Sequence, residues 1–373
     1  MIFPKIFLPK KFLGIDIGTA AIKLVELSGR GEKRKLENYG EVKAEVIFEK
    51  PFRTFEKSTL LFSNQEIARA IKAIKEEAKI KTRDCIFSIP DFSSFFTNFE
   101  LPPMTEEELS QAVVYEARQH VPLPLGEVTL DWEVIEGKVS NREKTKIRIL
   151  LVAVPNEVVN QYKEIARLCD LKLLALEAEV FGLLRSLIPA DEKKTVSIID
   201  IGAQTTTCSI IDERVLKVSH SFDLSGDDLT STVAKSLSID YKTAEKLKEK
   251  QGLKDIPSLE SSQEGRRDLS LPSSGKGVKE ILLPLIDAVL REIEKISRNF
   301  YQTEGREVQK FILAGGVSIM PGLREYFEDF LKKETEIANP FSNVFYPAIL
   351  EKTLQEMGPA YAIAVGMALR GFE

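Results

Sequence analysis

The alternation of apolar and polar residues changes period along this chain, and each change marks an element. Residues 12–27 (FLGIDIGTAAIKLVEL) form an apolar run interrupted by small residues, which predicts strand, tight turn, strand. Residues 196–212 (VSIIDIGAQTTTCSIID) repeat the plan. Superposing the two runs puts Asp16 over Asp200 and Gly18 over Gly202, half a chain apart. The chain reads as two lobes of one design, each opening with a hairpin that carries Asp-x-Gly.

Between the hairpins, Ile67, Ala70, Ile71 and Ile74 recur at helical spacing and predict a helix over 64–78. From 84 to 154 the character changes. A strand at 85–89 leads to a proline-rich crossing at Leu101-Pro102-Pro103, a helix opened by Thr105 and Glu108 as a capping box, and strands at 127–134 and 146–154. This stretch reads as an inserted small subdomain. A helix over 156–169, a strand at 173–176 and a helix from Ala178 complete the first lobe. The second lobe has helices over 226–237 and 241–252, then a stretch at 255–277 rich in Ser, Gly, Pro and charge that reads as a mobile loop. A long helix over 278–302 precedes a strand at 310–313, which runs into Ala314-Gly315-Gly316. Pro321-Gly322 opens a further helix, and Gly358-Pro359 stands just before a last one over 360–369. The expected division is a first lobe at 1–189 with 84–154 inserted, a second lobe at 190–357, and a C-terminal helix at 358–373 returning to the first lobe.

Composition narrows the function. With 57 acidic and 52 basic residues the net charge is −5, so nothing draws the chain to nucleic acid in general. Cys85, Cys169 and Cys208 are odd in number and outside any metal-ligand spacing, and a reducing cytoplasm is the simpler home. The first twelve residues mix lysines, prolines and large apolar residues. They lack the unbroken run of roughly 7–15 apolar residues of a signal peptide, and no later stretch reaches the ~18–20 of a spanning helix. An edge strand or packed tail is one reading of them, a weak membrane or partner contact the other.

The chemistry lies in the turns. Gly18, Thr19 and Ala20 leave backbone N–H groups and a hydroxyl uncovered by bulky side chains, which suits phosphate oxygens. Asp16 before the turn is placed to hold hydrated Mg²⁺, and Lys23 beyond it to neutralise phosphate charge. A single such hairpin is commonly just a turn. Two, one per half, joined by a strand ending in Gly315-Gly316, suit a nucleotide clasped between lobes. His120 and His220 have no spaced companions that would make a metal or nucleophile site. Trp132 reads as subdomain packing, and at least one of Thr206 and Thr207 as a strand former.

Asp16/Gly18, a connecting helix, Asp200/Gly202 and Ala314-Gly315-Gly316, in that order, resemble the superfamily of actin, sugar kinases and DnaK-type chaperones. Within it Ile89-Pro90-Asp91, Leu101-Pro102-Pro103-Met104-Thr105-Glu106-Glu107-Glu108-Leu109, Tyr115-Glu116-Ala117, Val121-Pro122-Leu123-Pro124-Leu125 and Leu130-Asp131-Trp132 resemble the PilM branch, which is related to FtsA. The resemblance implies an α/β actin-like ATPase fold, two lobes of duplicated ribonuclease H-like topology with a small subdomain inserted in the first. It implies ATP and Mg²⁺, with Asp16 and Asp200 organising the metal through water and Thr19, Lys23, Gly202 and Thr205 in the phosphate turns. Glu179 matches the position that places a polar group near the attacking water, with Val180 where the pattern has proline. Gly226, Asp227, Glu245 and Lys248 match the ribose and adenine side, with Ser225 where a second glycine is common, and Gly315 and Gly316 match the adenosine motif. Glu245 and Lys248, three apart on a helix, are equally readable as a solvated surface pair.

The function so implied is a cytoplasmic ATP-binding adaptor at the inner face of the inner membrane, in the type IV pilus assembly complex, with slow hydrolysis at best. Its partners would be the cytoplasmic N-terminal peptide of PilN, held near the inserted subdomain with Phe92, Phe95 and Phe96 as candidate contacts, and the pilus motor ATPases, with self-association a further option. The alternatives are a small-molecule kinase of the superfamily, a secretion-system subunit, or an FtsA-like division scaffold, whose amphipathic C-terminal tail is not expected after Arg370-Gly371-Phe372-Glu373.

Overall fold

A computed structural model describes residues 9–44, 55–56, 59–60, 63–137, 146–254 and 277–373. The readings made of the N-terminal stretch and of the loop at 255–277 fall largely outside the described residues. The first strands are β1 (Lys10–Ile17), β2 (Ala21–Arg30) and β3 (Lys33–Lys43), followed by a two-residue pair, β4 (Phe55–Glu56) and β5 (Thr59–Leu60), and by helix α1 (Asn64–Glu77). Next come β6 (Asp84–Ile89), β7 (Phe95–Leu101), α2 (Glu106–His120), β8 (Val128–Glu136), β9 (Ile147–Pro155), α3 (Asn156–Leu168), β10 (Lys172–Ala178) and α4 (Glu179–Leu187). The remaining strands are β11 (Val196–Ile201), β12 (Thr206–Asp212), β13 (Val215–Phe222), β14 (Lys310–Ala314), β15 (Glu334–Ile337) and β16 (Val344–Phe345). The remaining helices are α5 (Gly226–Leu237), α6 (Tyr241–Gln251), α7 (Val278–Glu304), α8 (Leu323–Leu331) and α9 (Glu351–Arg370).

The sheets carry the duplication read from the hairpins. One has the order β10-β6-β1-β2-β3-β16 and the other β13-β12-β11-β14-β15. In each, three antiparallel strands (β1-β2-β3; β11-β12-β13) are extended from the first strand by two parallel ones (β6, β10; β14, β15). This is the actin-like α/β fold that the motif order implies. Strands β3 and β13 have no counterpart in the expected elements, because their mixed, largely half-buried or exposed sequences hide the alternation.

Helices α1 and α3 cover the outer face of the first sheet through Ile67, Ile71, Tyr162 and Ile165, and α5, α6 and α7 cover the second. Between the sheets, Val180 and Leu183 of α4 share a core with Val196, Ile198 and Ile312 of the second sheet. Helix α9 lies against β1, β2, β6 and α4. Small residues let these backbones touch. A Cβ on Gly14 would stand 1.9 Å from the Ala364 carbonyl oxygen, and one on Gly366 would stand 2.0 Å from that of Gly182. Helix α9 begins at Glu351, earlier than the expected 360–369, and runs through Gly358 and Pro359. The proline signal for a helix start is overridden because Leu354, on the earlier turns, is needed in a core with Phe341 and Val344.

The segment inserted between β6 and β10 forms a separate sheet, β7-β9-β8, with α2 on one face through Leu109, Val113 and Ala117. The capping box is present: Thr105 accepts from the Glu108 N–H and the Glu108 carboxylate from the Thr105 N–H. Trp132 packs in this core. The opposite face leans on the second lobe. Arg148 of β9 donates to both Glu304 carboxylate oxygens at 2.9 and 2.6 Å, and Asn98 of β7 donates to the Lys217 carbonyl of β13 at 2.8 Å. No helix among the described residues is long and apolar enough to cross a membrane.

The glycine crossing gives a stability test. Gly366→Ala should lower stability by about 1–3 kcal/mol, since only backbone atoms stand in the way of the new methyl group. Gly126→Ala, where a Cβ meets nothing within 4 Å, should stay near wild type, both read from chemical denaturation midpoints.

Candidate nucleotide site between the two hairpins

Strand register builds the site. Ile15 of β1 lies beside Phe87 of the parallel β6, so Asp16 meets Ser88 at the same sheet end. The Ser88 hydroxyl donates to Asp16 Oδ1 at 2.9 Å, while Lys23, opposite Asp16 across the hairpin, brings Nζ to 3.7 Å from Oδ2. Beyond Asp16 the turn closes with Gly18 N–H donating to the Ala21 carbonyl at 3.1 Å, leaving Gly18 and Thr19 half-buried and Ala20 exposed. The second hairpin closes alike, Gly202 N–H donating to the Thr205 carbonyl at 2.9 Å.

Asp200 pairs with Ala314 of β14, which puts Gly315 next to it. Gly315 has φ +83°, and a Cβ there would lie 2.5 Å from Asp200 Oδ1, so only glycine suits the position. Gly316 is exposed and would meet nothing within 4 Å. Gly226, first residue of α5, donates its N–H to the Gly202 carbonyl and Asp227 its own to Ala203, at 2.9 and 3.0 Å, binding the helix start to the second turn. Ser225 has an extended backbone (φ −146°, ψ 173°) that any residue adopts, and its hydroxyl caps the Asp228 N–H. A glycine is therefore not required there.

Glu245 and Lys248 are not a solvated surface pair. Lys248 is 4% exposed and donates to the Glu245 carboxylate at 2.7 Å, the Thr230 hydroxyl at 2.8 Å and the Gly226 carbonyl at 3.3 Å. Tyr241 donates to Asp227 at 2.7 Å. These side chains knit α5 to α6 behind Gly226, with Lys248 too deeply bonded to serve as a free cation.

Glu179 opens α4 on the first lobe's side of the cleft. Sequence reasoning did not assign Asp91, which completes an acidic cluster of Asp16, Asp91, Glu179 and Asp200, or Ser88, which bonds to Asp16. The signal was present in Ser88-Ile89-Pro90-Asp91, a strand end beside the one that carries Asp16. Burial raises the proton affinity of all four. Asp200 is pushed up to about 6 by burial and then by Asp16, against Lys23. Asp91 rises to about 7, chiefly by burial, and Glu179 well above the ordinary range by burial and then by the carboxylates of Asp16, Asp91 and Asp200. Asp16 is raised by burial against the pull of Lys23 and Ser88. The Tyr162 hydroxyl is buried without a partner among the described residues, and burial, then Glu179 and Asp16, push its proton up.

Excess negative charge with one adjacent lysine, small-residue turns and an orphaned hydroxyl is a donor set suited to a hydrated divalent cation and phosphates. Among the described residues no three of His, Cys, Asp and Glu converge as direct metal ligands, so these carboxylates fit contact through water. His120 stacks on Phe99 with ring centroids 5.1 Å apart, and His220 is exposed on β13.

These titrations predict a pH dependence. Between the ordinary Asp value of 3.8 and the raised value of about 6, folded Asp200 holds protons that the unfolded chain releases. Its contribution therefore falls as pH rises through that window. Metal-free, nucleotide-free protein should melt lower at pH 7.5 than near pH 5, and Asp200→Asn should recover about 1–2 kcal/mol at pH 7.5. Thermal melts across pH in chelator check both.

The family model for "Type IV pilus assembly protein PilM" matches residues 14–258, and that for "Cell division protein FtsA" matches 197–366. The FtsA of Rhizobium meliloti (strain 1021) is 26% identical over 197 residues, which are 50% of this chain and 42% of that protein. The chain thus spans under half the length of that relative. A solved PilM–PilN type IV pilus biogenesis complex superposes with a TM-score of 0.81 at 24% identity, covering 97% of this chain and 98% of that one. The MreB5 of Spiroplasma citri bound to ADP gives 0.52 at 17% identity, covering 98% and 96%. With more than half of its length in the first of these family matches, the chain belongs to the type IV pilus assembly protein PilM family.

Proposed function

We propose that this protein is a nucleotide-dependent adaptor of type IV pilus assembly, clasping Mg-ATP between its hairpins and holding the N-terminal peptide of PilN. The observation that carries the nucleotide reading is the meeting of Asp16 and Asp200, one per lobe, over two small-residue turns with Lys23 alongside. The ADP bound by MreB5, a protein of the same fold, supports it, and the PilN in the superposing complex supports the partner.

In this reading Asp16 and Asp200 hold the hydration shell of Mg²⁺, which supplies charge neutralisation at the phosphates. Lys23 adds a point charge, Thr19 and Thr205 lie in the turns that face phosphate oxygens, and Gly315-Gly316 with Gly226 and Asp227 flank the nucleoside. Glu245 and Lys248 support that wall from behind. Glu179 orients the attacking water, and its raised proton affinity favours slow turnover, because a carboxyl that holds its proton is a poor general base. Phosphates held from both lobes favour closure, and loss of the terminal one loosens it. Contact with motor ATPases, seating at the inner face of the inner membrane and self-association belong to the same proposal. An FtsA-like scaffold is a second reading, favoured by the match over residues 197–366.

Two measurements test this. Mg-ATP at about 100 times its dissociation constant should add ~2.7 kcal/mol and raise the melting midpoint by a few degrees, and Asp16→Ala should remove most of the rise. Absence of both heat and shift in wild type overturns the nucleotide reading. The cytoplasmic N-terminal peptide of PilN should be captured to different extents with ADP and with a non-hydrolysable ATP analogue. No capture in either state overturns the adaptor reading, and capture of FtsA's division partners instead supports the scaffold.

A further inference from the structure

Asp91 stands at the junction between β6 and the three-stranded layer, 5% exposed, and makes two hydrogen bonds to one short stretch of chain. Its Oδ1 accepts from the Val180 N–H at 3.2 Å, and its own N–H donates to Glu179 Oε2 at 3.3 Å. The sheet explains the meeting. Ser88 pairs with Glu177 and Ile89 with Ala178 on parallel strands, so both chains leave the sheet at the same level. Helix α4 needs the bond, since its capping residue Ala178 offers no side chain to the first-turn N–H groups. Directly after Asp91 a single 3₁₀ turn (Asp91–Ser93) runs into β7, leaving little slack between this residue and the layer.

We propose that Asp91 is a positioning residue that fastens the three-stranded layer to the helix start carrying Glu179, through this reciprocal pair of bonds. The side-chain bond fixes the backbone of residue 91 against α4, and only there does its N–H reach the Glu179 carboxylate. Each bond holds the geometry of the other. A displacement of β7, which also contacts the second lobe through Asn98, is therefore transmitted to the Glu179 carboxylate. Asp91 also lines a pocket with Phe92, Phe95, Phe96, His120 and His220, so the fastening lies where an occupant of that pocket would press.

The inference rests on the proposed role of Glu179 for its turnover readout alone. Amide hydrogen exchange in the nucleotide-free protein tests the fastening by itself. Asp91→Ala should speed exchange at both the Val180 and residue-91 amides by roughly tenfold, and Asp91→Asn, which keeps the accepting oxygen, should restore both. Glu179→Ala, which leaves the Asp91 side chain in place, should still speed both. Acceleration at one amide only, in either alanine variant, overturns the proposal. In single-turnover ATP hydrolysis at saturating Mg-ATP, Asp91→Ala should slow the step about tenfold, and Asp91→Asn should regain most of the rate. Unchanged turnover in Asp91→Ala, or equal loss in both variants, overturns positioning. A wild type without turnover removes the role of Glu179, and the exchange results then decide the fastening alone.

Discussion

Four carboxylates gathered where two hairpins and a helix start converge set the terms for this molecule. Burial raises the proton affinity of Asp16, Asp91, Glu179 and Asp200, neighbouring carboxylates add to it at Asp91, Glu179 and Asp200, and Lys23 offsets it at Asp16 and Asp200. Left to themselves such groups would move apart or stay protonated. They are held by backbone that has no freedom to retreat: parallel register fixes Asp16 to Ser88, and β14 brings Gly315 against Asp200. The arrangement costs stability in the free protein and suits a site whose charge is completed by something bound.

The surrounding architecture supplies that rigidity through close backbone approach. Gly14 against Ala364 and Gly366 against Gly182 leave no room for a side chain, so α4, α9 and the first sheet pack backbone to backbone. On the second lobe, Gly226 and Asp227 donate into the hairpin turn while Lys248 braces the helix behind them. Each hairpin is thereby tied to its own lobe. Under the proposed function, a ligand held by both hairpins would couple the Asp16–Asp200 separation to the angle between lobes.

The three-stranded layer departs most from a plain duplicated plan. It is inserted in the first half of the chain yet bonds to the second lobe through Arg148–Glu304 and Asn98–Lys217. It therefore spans the division that a clasp would open, with Asp91 at its root beside Glu179.

The duplicated hairpins, the Gly-Gly strand end and most helices were legible in the sequence, because each is set by local pattern: apolar periodicity, small turn residues and capping side chains. The family resemblance proposed roles for Glu179, Gly226 and Lys248 that local pattern and spacing do not reach. Ser88 and Asp91 escaped because their partners, Asp16 and Val180, lie 72 and 89 positions away along the chain. The burial of Lys248 and the passage of α9 through Pro359 escaped for the same reason, since local preference for a solvated ion pair or a helix start lost to packing. The sequence by itself determined which backbone turns exist and which charges they carry. Only the tertiary structure decided which charges meet, because strand register and helix packing, and not spacing along the chain, set the distances over which a buried charge is felt.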